Sequence, residues 1–315
     1  MNFVESIPHG IHVIDTGFHR PRFDAAYLVV EDGRAAYVDT GTSSAVPRLL
    51  AALDATGLAR DAVDWLIVTH VHLDHAGGAG LLLQALPRAR LVVHARGARH
   101  MIDPAQLVEG ARAVYGDEAM ARLYGTIEPV PAGRVLETHD AMSIDLAGRP
   151  LVFIDTPGHA RHHHCIWDET SRGFFTGDTF GLSYREFDTE RGAFALLTTT
   201  PVQFEPYQLR ASIERMLSFD PQSMYLTHYG PIGDVRRMAA ELFDQIDAMV
   251  AIGRAAPRED RQRALEHALA RLYLERLRAH GSTLDDAEIL RLLAVDIELN
   301  AQGLAIWLDK ERSNA

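Results

Sequence analysis

The sequence contains a single cysteine, Cys165, in 315 residues. One cysteine cannot form a disulfide within the chain, and it cannot build a cluster of thiolate metal ligands. Positive charge is also scarce, with 31 Lys and Arg against 43 Asp and Glu, which gives a formal net charge of -12. Proteins that follow a nucleic-acid backbone usually present a basic face. The composition therefore argues against a disulfide-stabilised protein and against a nucleic-acid partner.

Long apolar runs are missing as well. No uninterrupted apolar stretch approaches the ~20 residues that a membrane-spanning helix needs, so we expect no membrane partner. The start, MNFVESIPHG, carries an acidic residue and lacks the apolar core of a signal peptide. We therefore expect a cytoplasmic protein. Its composition, 47% hydrophobic and 23% charged, is ordinary for a globular chain with a sizeable core.

The first two-thirds of the sequence alternates strand-like and helical stretches. Runs such as AAYLVVE, AAYVDT and DWLIVTH predict strands, and SSAVPRLLAALDATG predicts a helix. The pattern changes near residue 232, after which apolar residues recur at helical spacing. We therefore predict a mixed α/β domain over residues 1–232 and a C-terminal helical extension over residues 233–315 that packs on it. The same helices offer apolar faces for pairing two chains in a homodimer.

The stretch THVHLDHAGG, residues 69–78, concentrates metal-ligating side chains at the end of a predicted buried strand. In an extended segment His70 and His72 lie on one side, and the turn that follows directs Asp74 and His75 towards a neighbouring point. The two glycines that close the stretch are expected to let the backbone turn tightly where a helix begins. This geometry favours two neighbouring cations over one. Core or capping histidines are the alternative, but that interpretation suits a lone histidine better than this spacing.

Three further strand ends supply the remaining candidate ligands. FIDTPGHA leads into His159, GFFTGDTF into Asp178 and MYLTHYG into His228, each after an apolar run and close to a glycine. Strand ends at one rim of a sheet face a shared cleft, so we expect these groups to meet there. A ligand set of nitrogen and oxygen without thiolate favours zinc, and it also suits manganese or iron.

Over roughly residues 10–232 these stretches resemble the signature motifs of the metallo-β-lactamase-fold hydrolases. The resemblance implies an α/β (α+β) fold, an αββα sandwich of two mixed sheets packed face to face with helices outside. The stretch YVDTG supplies Asp39, which in that family lies near the metals. The resemblance also implies ligands for two divalent cations: His70, His72 and His159 for the first, Asp74, His75 and His228 for the second, and Asp178 bridging both.

Within this family the sequence resembles glyoxalase II, the acyl-homoserine-lactone lactonases and the quinolone-signal response thioesterase. Antibiotic-degrading members usually place a cysteine in the second metal site, whereas Asp178 takes the later ligand position here and Cys165 lies outside the motifs. The resemblance implies a hydrolase that uses a metal-bridged hydroxide on an ester, lactone or thioester of a small molecule. Asp74 and Asp178 are the implied catalytic carboxylates, and Asp74 would also orient the hydroxide.

Three other functions are compatible with the same residues. A phosphodiesterase acting on a small phosphodiester would use the same two cations. A mononuclear iron dioxygenase, similar to the persulfide dioxygenases, would use only His70, His159 and Asp178. A signalling or binding protein would keep the metal site and act through its helical extension.

Several residues are candidates for the substrate pocket or for contacts behind the ligands. His163 follows a candidate ligand in HARHHHC, and Tyr229 directly follows another. Residues 180–207 lack clear periodicity, and so long a connection beside a candidate ligand often borders a pocket. We therefore predict supporting or pocket roles for Asp39, His163, Phe180, Tyr184 and Tyr229.

Overall fold

The computed structural model describes residues 2–200 and 202–313, apart from the side chains of residues 115 and 119. Pro201, within the run predicted to border a pocket, lies outside the described residues. The chain divides into two compact units: unit 1 comprises residues 1–155, 162–177 and 220–233, and unit 2 comprises residues 156–161, 178–219 and 234–315. The predicted boundary at residue 232 stays a prediction, and the units differ from it by grouping residues 156–161 and 178–219 with the C-terminal helices.

Unit 1 contains two β-sheets. Their strands are β1 Val4–Ile7, β2 Ile11–Asp15, β3 Ala25–Glu31, β4 Arg34–Val38, β5 Val63–Ile67, β6 Arg90–His94, β7 Val135–Thr138, β8 Ser143–Leu146, β9 Arg149–Asp155, β10 His164–Asp168, β11 Gly173–Gly177, β12 Ser223–Leu226 and β13 Gly230–Ile232. The first sheet runs in chain order from β1 to β7, and the second has the order β13-β12-β11-β10-β9-β8. Both are mixed, since β4 to β7 pair in parallel and so do β11 and β12.

The two sheets pack face to face through a buried apolar layer. Tyr27 of β3 shares this layer with Phe153 of β9 and Phe175 of β11, and the Tyr27 and Phe175 rings meet edge to face at 5.2 Å. Side chains alternate along a strand, so Leu28 lies on the opposite face of the first sheet. There it packs in a second buried cluster with Leu53. One cluster thus joins the sheets, and the other joins the first sheet to its helices.

The helices of unit 1 connect the strands of the first sheet and flank its ends. They are α1 Val46–Ala55, α2 Leu73–Ala76, α3 Ala79–Ala85, α4 Ala95–Ile102, α5 Ala105–Tyr115 and α6 Asp117–Ala119. The predicted helix corresponds to α1, which begins with a proline in its first turn, where a missing N–H costs nothing. It buries Leu49 and Leu53 against the first sheet.

Unit 2 consists of α-helices together with the segments 156–161 and 178–205, which precede them. Its helices are α7 Pro206–Leu217, α8 Val235–Ala255, α9 Arg261–His280, α10 Asp286–Leu292 and α11 Ala294–Ser313. The predicted apolar stripe of α8 is buried at Met238, Leu242, Ile246 and Met249, as helical periodicity requires. The predicted α/β sandwich with C-terminal helices is confirmed. Within the part of the chain that the structure describes, no helix is both long and apolar enough to cross a membrane.

Candidate metal centre

Three side chains of unit 1 direct ligand atoms to a common point. Asp74 and His75 lie in α2, shortly after β5, and His228 lies between β12 and β13. Their ligand atoms are all within 4.8 Å of one another. Asp74 Oδ2 is 3.4 Å from His228 Nε2 and 3.8 Å from His75 Nε2. A tetrahedral cation with bonds of about 2.1 Å separates its ligands by about 3.4 Å. This trio is therefore spaced to hold one cation.

His75 is oriented by Asp39. Its Nδ1 lies 2.8 Å from Asp39 Oδ2, and both side chains are almost completely buried, at 0% and 1% exposure. A carboxylate only accepts hydrogen bonds, so Nδ1 donates to Asp39, and Nε2 is the ring nitrogen that faces Asp74. A carboxylate behind a metal-binding histidine fixes the tautomer and the ring orientation. Asp39 thus fixes the ring of His75, a candidate ligand.

Asp39 is itself held in place by two threonines. It accepts hydrogen bonds from the backbone N–H of Thr69 at 2.8 Å and from the hydroxyl of Thr227 at 2.8 Å. Its φ of 57° is left-handed, a conformation that Asp tolerates better than most residues. Neither threonine is among the predicted site residues. The signal was a Thr-His pair at the end of an apolar strand, which occurs after both β5 and β12.

His228 is oriented by a backbone carbonyl. Its Nδ1 donates to the carbonyl oxygen of Phe23 at 3.0 Å, and its ring meets the Phe23 ring edge to face at 5.5 Å. Its Nε2 therefore also faces Asp74. Two imidazoles that are each bonded at Nδ1 and one carboxylate form a donor set that suits a divalent cation. A carbonyl anchor of this kind has no signal in the sequence.

The other two predicted ligands of unit 1 lie side by side. His70 Nε2 and His72 Nδ1 are 2.8 Å apart, and His70 is completely buried. The ring of His163 stacks on His70 with centroids 4.8 Å apart. Gly177, with a φ of 48°, passes so close that a Cβ would lie 2.6 Å from both His163 Nε2 and the hydroxyl of Thr69. Only glycine fits at this position.

The glycines that follow α2 have a different role from the predicted one. Gly77 and Gly78 have φ values of -63° and -83°, both right-handed, so neither needs the conformational freedom of glycine. Instead, a Cβ on Gly78 would lie 2.9 Å from the carbonyl oxygen of Thr42. Glycine is therefore needed here because the backbone passes close to a neighbouring carbonyl, and not because the chain turns tightly.

Unit 2 contains the remaining predicted ligands, His159 and Asp178. His159 Nε2 is 3.3 Å from Asp178 Oδ2, and both side chains are buried. His159 follows Gly158, whose φ is 136°, and a Cβ there would lie 2.3 Å from the backbone of Leu209 in α7. The close approach of α7 thus requires the glycine beside this candidate ligand.

The predicted pocket residues are all deeply buried. Phe180 is completely inaccessible, and Tyr229 packs in the layer between the two sheets. Tyr184 donates its hydroxyl to the carboxylate of Asp296 in α11 at 3.2 Å. These contacts stabilise the interior of each unit, and a role in substrate binding stays a prediction for all three.

His164, which directly follows His163, differs from the candidate ligands. Its Nε2 donates to the carbonyl oxygen of Val68 at 2.9 Å, and its Nδ1 accepts from the hydroxyl of Thr138 at 2.8 Å. Complete burial lowers the pKa of His164 to about 3. Both ring nitrogens are used within the protein, so this histidine offers no lone pair to a cation.

Comparison with known proteins decides the family. The model of the metallo-beta-lactamase superfamily matches residues 19–228, two-thirds of the chain. The chain belongs to the metallo-beta-lactamase superfamily. This superfamily consists largely of metal-dependent hydrolases, and the candidate ligands of this member lie within the matched residues.

Three relatives show what this chain is similar to in sequence. The metallo-beta-lactamase fold-containing protein ST1585 of Sulfurisphaera tokodaii is 26% identical over 226 residues, which cover 70% of this chain and 78% of that protein. A hydroxyacylglutathione hydrolase of Aeromonas hydrophila is 26% identical over 219 residues, covering 69% of this chain and 66% of the hydrolase. An atrochrysone carboxyl ACP thioesterase of Aspergillus fumigatus is 27% identical over 154 residues, 49% of this chain and 38% of the thioesterase. The chain thus spans slightly less than two-thirds of the hydroxyacylglutathione hydrolase and about two-fifths of the thioesterase.

Solved structures of superfamily members share the fold. The structure of ST1585 from Sulfolobus tokodaii matches with a TM-score of 0.67 and 24% identity, covering 95% of this chain and 99% of that chain. The family protein TTHA1429 from Thermus thermophilus matches with a TM-score of 0.64 and 24% identity, covering 90% and 94%.

Proposed function

We propose that this protein is a metal-dependent hydrolase of a small ester, lactone or thioester. The observation that carries the proposal is the trio of Asp74, His75 and His228, in which each histidine is anchored through Nδ1 and directs Nε2 to one carboxylate. Two of the related proteins are named as a hydroxyacylglutathione hydrolase and an acyl-carrier-protein thioesterase, which supports thioesters as the first substrates to test.

The proposed ligand set has two parts. In the first, Asp74, His75 and His228 hold one divalent cation, because their spacing fits it and both histidines are bonded at Nδ1 and turn Nε2 to Asp74. The second part rests on the family resemblance, which implies that His70, His72 and His159 would hold another cation and that Asp178 would be a ligand of both. Imidazole and carboxylate ligands without thiolate favour zinc over the alternatives, iron and manganese.

Bound in this set, divalent cations supply Lewis-acid polarisation of a carbonyl and lower the pKa of water. Asp74 orients the attacking water, because its side chain is 24% exposed while His75 is inaccessible. It accepts a proton from that water as the new bond to the acyl carbon forms. The proton then passes to the leaving sulfur or oxygen as its bond to carbon breaks. Asp39 keeps its own position throughout, since its oxygens are occupied by Thr69, Thr227 and His75.

Elemental analysis and a substrate panel test this proposal together. The protein is purified without added metal and assayed on an aryl ester, a homoserine lactone, an acyl thioester and bis-nitrophenyl phosphate. We expect two equivalents of a divalent ion per chain, and hydrolysis of at least one carbonyl substrate that a chelator abolishes and zinc restores. One iron per chain with oxygen uptake, or turnover of the phosphodiester alone, would overturn the proposal.

A further inference from the structure

The segment that follows Asp178 is irregular but firmly bonded. The backbone N–H of Gly181 donates to the carbonyl oxygen of Asp178 at 3.1 Å, which closes a turn. Leu182 then pairs with Leu196 in an antiparallel bridge, with N···O distances of 2.9 and 2.8 Å. Gly181 itself is tightly placed, because a Cβ there would lie 2.3 Å from the carbonyl oxygen of Leu196. The position of Asp178 therefore depends on the position of Leu196.

Gln245 of α8 holds the chain on both sides of Leu196. Its Oε1 accepts from the backbone N–H of Leu197 at 3.0 Å, and its Nε2 donates to the carbonyl oxygen of Ala195 at 2.8 Å. The side chain is completely buried. The amide thus pairs with the backbone as a neighbouring strand would.

Asn300 of α11 continues this pattern. Its Oδ1 accepts from the backbone N–H of Thr199 at 2.7 Å, and its Nδ2 donates to the carbonyl oxygen of Leu197 at 3.2 Å. The second proton on Nδ2 is donated to the hydroxyl of Tyr273 in α9 at 2.8 Å. Asn300 is also completely buried. Like Gln245, it directs its hydrogen bonds to residues 195–199.

Two buried amides on helices are costly unless every polar atom is paired, so their presence calls for a structural reason. We infer that Gln245 and Asn300 are positioning residues for Asp178. Gln245 of α8 and Asn300 of α11 hold residues 195–199 through their hydrogen bonds. Leu196 in turn holds Leu182 through the antiparallel bridge. The turn from Asp178 to Gly181 then holds Asp178 beside His159. The inference rests on the proposed function in one respect, that Asp178 is a metal ligand.

The test uses Gln245→Met and Asn300→Leu in the full-length protein, because both replacements keep the size of the side chain and remove its hydrogen bonds. Zinc affinity is measured by competition with a chelator, and the visible absorption of the cobalt-substituted protein reports ligand geometry. We expect at least one cation equivalent to bind about 10- to 100-fold more weakly, as for other residues that support metal ligands, together with a changed cobalt spectrum. If Asn300→Leu fails to fold, Asn300→Asp replaces it, since it keeps the acceptor for Thr199 and loses the donor to Leu197. If Gln245→Met fails to fold, Gln245→Glu replaces it, since it keeps the acceptor for Leu197 and loses the donor to Ala195.

Tyr273→Phe is the matched control. It removes the partner of Asn300 in α9 but leaves both amides bonded to residues 195–199. We expect a lower melting temperature with unchanged zinc affinity and cobalt spectrum. If Tyr273→Phe weakened zinc binding as much as Asn300→Leu, loss of stability alone would explain the effect and the inference would be wrong.

Asp178→Asn separates this inference from the proposed function. If it weakens zinc binding while the variants at Gln245 and Asn300 bind like the wild type, the inference is overturned and the proposed function stands. If Asp178→Asn leaves zinc affinity unchanged, Asp178 is not a ligand, and both the proposed ligand set and the inference fail.

Discussion

Unit 1 anchors His75 and His228 through their own side chains, whereas unit 2 anchors Asp178 through the backbone that follows it. The histidines are bonded at Nδ1 by Asp39 and by the carbonyl of Phe23. Asp178 is bonded at its carbonyl oxygen, and the amide anchors act several residues further along the chain. The two units thus hold their candidate ligands in position by different contacts.

The difference follows from the shapes of the two side chains. An imidazole has a second nitrogen on the side away from the ligand atom, so a neighbour can hold the ring without competing with a cation. Aspartate is short, and the position of its carboxylate is set largely by the backbone that carries it. A histidine ligand is therefore sensitive to a few neighbours, and an aspartate ligand to the path of the chain.

Replacing Asp178 itself should have the largest effect. Asp178→Ala removes a negative charge and a proposed ligand of both cations, so we expect loss of at least one cation and a fall in hydrolysis by orders of magnitude. Asp178→Asn should be intermediate in metal content, because its amide oxygen can still bind but carries no charge. Metal content by elemental analysis and turnover on the best substrate measure both variants.

His163→Ala is the control for this experiment. His163 stacks on His70 but is not a proposed ligand, so we expect two cations to remain and only substrate affinity to change. Two bound cations and near-normal turnover in Asp178→Ala, or an empty site in His163→Ala, would contradict the proposed ligand set.

Asp39→Asn tests the anchors of unit 1 and should have a smaller effect. The amide keeps the size of the side chain but loses the charge that holds the Nδ1 proton of His75. We expect about 10- to 100-fold weaker binding of one cation. Thr227→Val removes only one of the donors to Asp39 and should weaken binding less. Chelator competition on both proteins checks the order, and an unchanged affinity in Asp39→Asn would show that His75 needs no anchor.

His164 contrasts with the candidate ligands, because its ring is bonded at both nitrogens and offers neither to a cation. Its pKa is about 3 in the folded protein and about 6.5 in the unfolded chain. Below pH 6.5 the unfolded chain therefore takes up a proton that the folded protein does not, and stability falls as the pH is lowered towards 3. The loss is about 1.4 kcal/mol per pH unit, or about 2 kcal/mol between pH 6.5 and 5.

His164→Gln removes this contribution and can still bond to Thr138 and Val68. Urea unfolding of the metal-free proteins at pH 7.5 and 5.0 should therefore show a loss of stability about 2 kcal/mol smaller in the variant. Equal losses in both proteins would mean that the buried ring is protonated as readily as in the unfolded chain.

The sequence predicted the family and the sandwich fold because both depend on local patterns. Apolar runs that end in His70, His159 or His228 mark strand ends, and strand ends meet at the rim of a sheet. The anchors could not be predicted in the same way. The carbonyl of Phe23 carries no side-chain signal, and the threonine of a Thr-His pair is informative only once its distance to Asp39 is known.

The grouping of residues 178–219 with the C-terminal helices was also beyond the sequence. Within this segment, those of residues 180–205 that the structure describes form no regular strand or α-helix, and residues 195–199 pair with the side chains of Gln245 and Asn300, far along the chain. On α8 and α11 these two residues resemble ordinary polar positions of amphipathic helices. Only the structure shows that they are buried and what they bind.

The trio also has a consequence for how a newly made chain matures. Asp74 and His75 leave the ribosome long before His228, and Asp39 has its Thr227 partner only when the end of β12 has been made. A nascent or prematurely terminated chain that stops before β12 has the early candidate ligands without the late one. If the trio binds a cation as proposed, we therefore expect loading to be a late step of biosynthesis, after most of the second sheet has been made.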